Sequence, residues 1–200
     1  MPNSRLDQQL RFVVETDELK CVFRQTLLPS GRRLENSAEH SWHLAFMAVL
    51  LAEHAKEAGV DMFRVVKIAL VHDLVEIDAG DTYIYDEVSQ RDRVARERAA
   101  ADRIFALLPP DQCAELRALW EEYEAGETAE ARFAGALDRL QPLLLNFHTQ
   151  GAQWRKHGIT VDQVLARNRV IERGAPALWA YAERLIHEAV AQGYLAPAPQ

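Results

Sequence analysis

Only two cysteines occur in the 200 residues, Cys21 and Cys113, far apart and outside any CxxC spacing. That excludes a disulfide framework and a cysteine-built zinc site, and makes a reducing cytoplasm the expected compartment. No segment approaches the roughly eighteen consecutive apolar residues that a membrane helix needs. The opening stretch, Met1-Pro2-Asn3-Ser4-Arg5-Leu6-Asp7, lacks the apolar core of a secretory signal. Basic residues are in the minority, 23 against 30 acidic ones, for a net charge of −7. A nucleic-acid polymer is therefore not expected as the main partner, since phosphate backbones call for basic patches. A small anionic substrate stays compatible, because one arginine or a bound cation reverses the sign inside a single pocket. Convincing strand alternation and internal repeats are also absent.

What is present is ordinary globular material, 48% hydrophobic and 26% charged, long enough to bury a substantial core. Leu6, Leu10, Val13 and Val14 fall at helical spacing, as do Leu19, Val22 and Phe23. Pro29-Ser30-Gly31 opens a loop to about Ser37, the expected N-cap of a long helix reaching Gly59. Asp61 caps the next helix, which runs towards Gly80. Val94, Ala101, Ile104, Phe105 and Leu108 mark another, ended by Pro109-Pro110. Asp111 caps a short helix closed at Gly126, and Phe133, Leu137, Leu140 and Leu144 stripe the following one. Thr160 and Gln163 form a capping box for a helix to about Arg173. Pro176 opens the last helix and Gly193 ends it. The expectation is an all-α fold of about eight to nine helices, a single domain over residues 1–195 with a disordered tail at 196–200.

Chemistry concentrates at three places. Val65, Ala69, His72, Asp73 and Glu76 fall along one helical face. An apolar stripe that turns into His, Asp and Glu buries polar groups that need a partner, and a divalent cation is a good one for imidazole and carboxylate. A His-Asp doublet alone is weak evidence in a chain with seven histidines. His40 shares a stripe with Leu44, Met47, Ala48 and Leu51. A lone histidine there is more often a core residue bonded to backbone than a ligand. His43, on a neighbouring stripe, reads as structural or as support for a ligand. Asp138 lies in a strongly apolar helix, where it is either a ligand or half of a surface pair with Arg139. Pro142, four residues on, deprives the Asp138 carbonyl of its helical donor and predicts a local kink.

Taken together, a histidine, a His-Asp doublet some thirty residues later and an aspartate further on, all on helices, resemble the HD-domain superfamily of metal phosphohydrolases. The resemblance is strongest to the HD-domain 5′-deoxynucleotidases. It runs through Leu19-Lys20-Cys21-Val22-Phe23-Arg24, Glu35-Asn36-Ser37-Ala38-Glu39-His40, Ala69-Leu70-Val71-His72-Asp73-Leu74-Val75-Glu76, Gly80-Asp81, Leu119-Trp120-Glu121-Glu122-Tyr123-Glu124 and Leu137-Asp138. The resemblance implies a set of roles. His40, His72, Asp73 and Asp138 match the four metal ligands. Glu76 matches the carboxylate that handles the attacking water, and Asp81 a second acidic residue beside the substrate. Arg24 matches an arginine that orients the phosphate, a task that suits a guanidinium. Without the resemblance Arg24 reads as a surface residue. Gln25 stands at a substrate-facing position where some relatives carry an aromatic side chain.

The implied activity is removal of phosphate from 2′-deoxyribonucleoside 5′-monophosphates. It would use one divalent transition metal (Mn, Co or similar), with Mg admitted at a second site near Glu76 and Asp81. Two other readings stay open. One is an HD phosphohydrolase acting on triphosphates, cyclic nucleotides or guanosine polyphosphates. The other is a non-catalytic helical module that binds metal or nucleotide, against which Glu76 and Asp81 speak. Relatives are often dimers, so a homodimer is expected, with Trp120, Trp154, Trp179 and Tyr181 as interface candidates.

Overall fold

Side-chain caps set where several helices begin in the computed structural model, which describes residues 4–198. Ser4 and Asp7 form a capping box for α1 (Arg5–Thr16). Asn36, not Ser37, caps α2 (Ser37–Leu50), its side chain accepting from Glu39 N while Glu39 reaches back. That frees the Ser37 hydroxyl for another partner. Asp61 caps α3 (Met62–Val71), as its position predicts.

After α3 the chain turns tightly into the single turn α4 (Glu76–Ala79), ended by Gly80 at φ 73°. Helix α5 (Arg93–Phe105) follows, then α6 (Pro110–Ala125), which starts with Pro110 in its first turn and closes on left-handed Gly126. Asp111 therefore lies inside α6 rather than capping it, and α6 is long, not short. Helix α7 (Ala129–His148) is the longest at 20 residues and continues through Pro142. Two short helices, α8 (Ala152–Lys156) and α9 (Val161–Asn168), lead to the turn α10 (Ile171–Gly174) and the final helix α11 (Pro176–Ala191). Thr160 and Gln163 form the expected capping box, but α9 stops at Asn168, short of Arg173.

The all-α class holds. Among the described residues eight helices have eight residues or more, and α4, α8 and α10 are single turns. One small sheet was not read from the sequence: β1 (Phe23–Leu27) pairs antiparallel with β2 (Leu34–Asn36) through an irregular register. Both strands fall where a helical stripe and a loop were expected. Five- and three-residue strands are too short for alternation to register. The long helix expected to reach Gly59 ends at Leu50, and a 3₁₀ turn at Ala52–His54 follows.

Helix α7 is the spine: α2, α3, α6, α10 and α11 all pack on it, and β1 lies across it. The contact with α10 is close enough that a Cβ on Gly174 would sit 2.0 Å from the Arg132 carbonyl oxygen. One continuous core runs from Phe12 to Leu195, with Leu44, Ile68, Phe133, Leu137 and Ile186 fully enclosed.

Three findings depart from the expected pattern at the surface. Leu6, Leu10, Val13 and Val14 of α1 face outward, and Phe12 is the buried residue of that helix. Trp120, Trp154 and Trp179 are core residues, leaving only Tyr181 exposed among the four interface candidates. Order extends to the first residue of the expected tail, since Val161 N donates to the Ala196 carbonyl (2.9 Å). Pro199 and Gln200, also in that expected tail, lie outside the described residues.

Candidate metal centre

Three helices deliver polar side chains to one buried point. Helix α3 sends its apolar stripe, Val65, Ile68 and Ala69, into the core and ends with His72 as its cap. Asp73 follows in the tight turn, and Glu76 is the first residue of α4. His40 is completely buried one turn into α2, on a stripe with Leu44, Met47 and Ala48. Asp138 comes from the middle of α7, buried itself, between buried Leu137 and half-buried Arg139. His40, His72 and Asp73 offer ligand atoms that all lie within 4.8 Å of one another. Asp138 Oδ1 lies 2.9 Å from His40 Nε2 and 3.9 Å from His72 Nε2. The structure thus brings together all four residues that the resemblance singles out as ligands.

Hydrogen bonding fixes which ring nitrogens face inward. His40 Nδ1 donates to Gln141 Oε1 (3.1 Å), and His72 Nδ1 donates to the Ala69 carbonyl (2.9 Å). Each imidazole therefore turns an Nε2 lone pair towards the carboxylates when neutral. His72 Nε2 is fully buried and has no hydrogen-bond partner among the described residues. It sits 3.1 Å from Asp73 Oδ1. Two lone pairs and two carboxylates pointed at one another repel unless positive charge lies between them. Burial works against charge on His72, yet Asp73 and then Asp138 outweigh it and hold the pKa up to about 9. Burial likewise opposes charge on Asp138, but its contacts with His40 and His72 hold it well below the ordinary carboxylate value. Such a cluster favours a cation, and two imidazoles with two carboxylates form a donor set suited to a divalent metal. The residues fit the ion that the resemblance implies.

The other site residues surround this point. Glu76 Oε2 accepts from the freed Ser37 hydroxyl (2.6 Å). Burial, then the charge of Asp73, raises the Glu76 pKa well above its ordinary value despite Arg24. Asp81 is raised in the same direction, first by burial. Arg24, on β1, is largely enclosed rather than at the surface, its side chain 12% exposed. Its Nη1 donates to Asp73 Oδ2 (3.1 Å) and lies 3.6 Å from Asp81 Oδ1. Burial opposes its charge, but Asp73 and Asp81 more than compensate and raise its pKa. These groups border a cleft of about 470 Å³, which Arg139, Arg167 and Arg173 also line. Gln25 lines a second, smaller cavity beside it.

Three participants were not assigned roles from sequence. Tyr123 donates its hydroxyl to Asp138 Oδ2 (2.8 Å). Gln141 takes the His40 proton donor on its oxygen and donates from Nε2 to Glu35 Oε1 (2.5 Å), with His43 Nδ1 at 3.3 Å. Glu35 is buried beside Arg24, its Oε2 3.6 Å from Arg24 Nε. Gln141 lies three residues after Asp138, one turn along the same helix face. That spacing, with a polar residue inside an apolar run, was the available signal.

Comparison with known proteins gives a consistent picture. A family model described as HD domain matches residues 16–179. The human (Homo sapiens) protein 5′-deoxynucleotidase HDDC2 is 36% identical over 136 residues, covering 68% of this chain and 65% of the human one. The cattle (Bos taurus) protein of the same name is 35% identical over 140 residues, covering 70% and 62%. The chain thus spans a little under two thirds of the length of these curated relatives. Among solved structures, one from Magnetospirillum magnetotacticum MS-1, named as a predicted metal-dependent phosphohydrolase, superposes with a TM-score of 0.94. It is 58% identical and covers 98% of each chain.

Proposed function

The chain belongs to the HD-domain family, and from that premise we propose that it hydrolyses 2′-deoxyribonucleoside 5′-monophosphates to deoxynucleoside and phosphate. The observation that carries the reading is the buried convergence of His40, His72, Asp73 and Asp138 beside Arg24, Glu76 and Asp81 in one open cleft. A non-catalytic metal site would have no use for a largely enclosed guanidinium and two further carboxylates at the same cleft.

His40, His72, Asp73 and Asp138 would hold the ion, and a divalent ion there supplies Lewis acidity towards the phosphate and the attacking water. Arg24 binds a phosphate oxygen and offsets the charge that grows as the phosphorus gains a fifth oxygen. Its contact with Asp73 keeps the guanidinium aimed at the centre. Glu76 takes a proton from water as the new P–O bond forms. Ser37 fixes the carboxylate from behind. The P–O5′ bond breaks, and the proton goes to the departing deoxyribose oxygen. Asp81 borders the substrate. A second, Mg-type site near Glu76 and Asp81 would require Arg24 to release Asp81. Manganese or cobalt suits the nitrogen-and-oxygen donor set at the main site.

The test is phosphate release from matched deoxy- and ribonucleoside 5′-monophosphates with metal supplied. Release favouring the deoxy series is expected; metal-loaded protein inert towards every monophosphate would overturn the substrate class.

We also read the chain as a cytoplasmic homodimer. Both cysteines are free, and no helix among the described residues is long and apolar enough to cross a membrane. In place of the buried tryptophans, α2 turns Trp42, Phe46, Val49 and Leu50 outward, with the Trp42 and Phe46 rings stacked at 6.2 Å. Contiguous exposed apolar residues of this kind mark association surfaces. Sedimentation velocity is expected to give twice the chain mass for the native protein and a monomer for Phe46→Asp. A native monomer would contradict the assignment.

A further inference from the structure

Phe23 and Asn36 pair across the β1–β2 hairpin, and Arg24 and Glu35 stand one residue further in on their respective strands. Cross-strand neighbours of this kind bring their side chains together. This pair turns inward. Glu35 is 2% exposed, and its Oε2 lies 3.6 Å from Arg24 Nε. Both atoms are sealed from solvent, and neither has a hydrogen-bond partner among the described residues. A buried N–H donor and a buried carboxylate oxygen, each unpaired, thus face one another just beyond hydrogen-bond length.

The far end of the same guanidinium points elsewhere. Arg24 Nη1 donates to Asp73 Oδ2 (3.1 Å) and lies 3.6 Å from Asp81 Oδ1, while Nη2 makes no hydrogen bond among the described residues. Arg24 borders the cleft, whereas Glu35 does not line it. A guanidinium is planar, so a carboxylate behind Nε fixes the plane and with it the direction of both Nη groups. Without that contact Asp73 and Asp81 alone would steer the side chain, drawing it onto the acidic cluster.

Glu35 also reaches the proposed ligands. Its Oε1 accepts from Gln141 Nε2 (2.5 Å), and the oxygen of that amide accepts from His40 Nδ1 (3.1 Å). Two N–H donors, Arg24 Nε and Gln141 Nε2, therefore converge on its two oxygens, and a carboxylate offers an acceptor to each. A glutamine of the same size has one oxygen and one NH₂ group, so in either orientation it sets donor against donor.

We propose that Glu35 is a positioning residue: it sets the plane of the Arg24 guanidinium that meets the phosphate, and through Gln141 it ties that arginine to His40. The inference deepens the phosphohydrolase reading and rests on Arg24 as the group that binds the phosphate.

The experiment is a double-mutant cycle of Glu35→Gln and Arg24→Met on the full chain loaded with Mn²⁺, read by calorimetric titration with inorganic phosphate. Methionine keeps much of the arginine stem and has no donor. Each single substitution is expected to weaken phosphate binding about tenfold or more, the scale of one hydrogen bond to a charged group. In the Arg24→Met background, Glu35→Gln is expected to cost little further, because its route to the phosphate is gone. Mn²⁺ affinity by chelator competition reads the other arm, and Glu35→Gln should lower it in both backgrounds. Thermal melts accompany each variant. If Glu35→Gln does not fold, Glu35→Asp, which withdraws the carboxylate by one methylene, takes its place in the cycle. Equal weakening of phosphate binding by Glu35→Gln in both backgrounds, or none in either, would overturn the positioning role alone. Native phosphate affinity in Arg24→Met would overturn the reading of Arg24 and the proposal with it. A coupled cycle in a protein that hydrolyses no monophosphate would keep the positioning role and overturn the hydrolytic reading instead.

Discussion

Asp73→Asn is expected to strip the protein of its metal and to lower phosphate release by about 10³-fold or more. Several kcal/mol of transition-state stabilisation from the ion correspond to that factor at about 1.4 kcal/mol per tenfold. The substitution preserves volume, and an asparagine oxygen can still accept from Arg24 Nη1, as Asp73 Oδ2 does at 3.1 Å. What disappears is one charge at the cluster. Asp73 is the strongest contributor to the preference for positive charge at His72, where burial alone would favour a neutral ring. His72→Ala should have the same effect by removing an inward lone pair, but it also opens a cavity at a buried position. The pair of variants therefore separates loss of metal from loss of packing. Metal content by elemental analysis, with a thermal melt as control, reads both. Full activity in either variant would remove the metal assignment.

Gln141→Leu is expected to weaken metal affinity by about 10- to 100-fold, the usual cost of removing the group behind a ligating histidine. Gln141 holds the His40 ring by accepting from Nδ1, which keeps Nε2 free to face the cluster. With leucine there, nothing favours that tautomer over the other. The same change leaves the buried Glu35 carboxylate without the hydrogen bond it receives from Gln141. A buried acceptor deprived of its donor costs about 1–3 kcal/mol, more when charged, so a lower melting temperature should accompany the weaker binding. Excess metal should restore much of the activity, because every ligand remains. Chelator-competition titration measures the affinity directly. An affinity unchanged from the native protein would mean that the ring is held by packing alone.

The polar positions of the proposed site stood out in the sequence because their chemistry conflicts with their surroundings, whereas the four-ligand set came from the resemblance. His72, Asp73 and Glu76 interrupt an apolar face, and Asp138 interrupts another. Such interruptions are visible in periodicity before any fold is known. Arg24 was not legible from periodicity. It sits on a five-residue strand whose partner is separated from it by a loop, and only tertiary packing shows that β1 crosses α7 and buries it. The hairpin is hidden from periodicity for the same reason.

Helix starts with side-chain caps were readable to within a residue. The choice of Asn36 over Ser37 was not, although it decides that Ser37 is free to hold Glu76. The tryptophans show the reverse error: aromatic content cannot say which side of a helix a ring occupies. Trp154 and Trp179 are core, while Trp42 lies outside. Helix α1 misleads most, since its apolar stripe faces solvent and Phe12 alone turns inward.

If one ion held by His40, His72, Asp73 and Asp138 is required for phosphomonoester hydrolysis, bound metal and phosphate release must change together. Both can be measured on the same samples, through chelation and stepwise return of Mn²⁺. Activity is expected to disappear with the metal and return in proportion to it, saturating near one ion per chain. Phosphate release that persists in protein shown to be free of metal would contradict it.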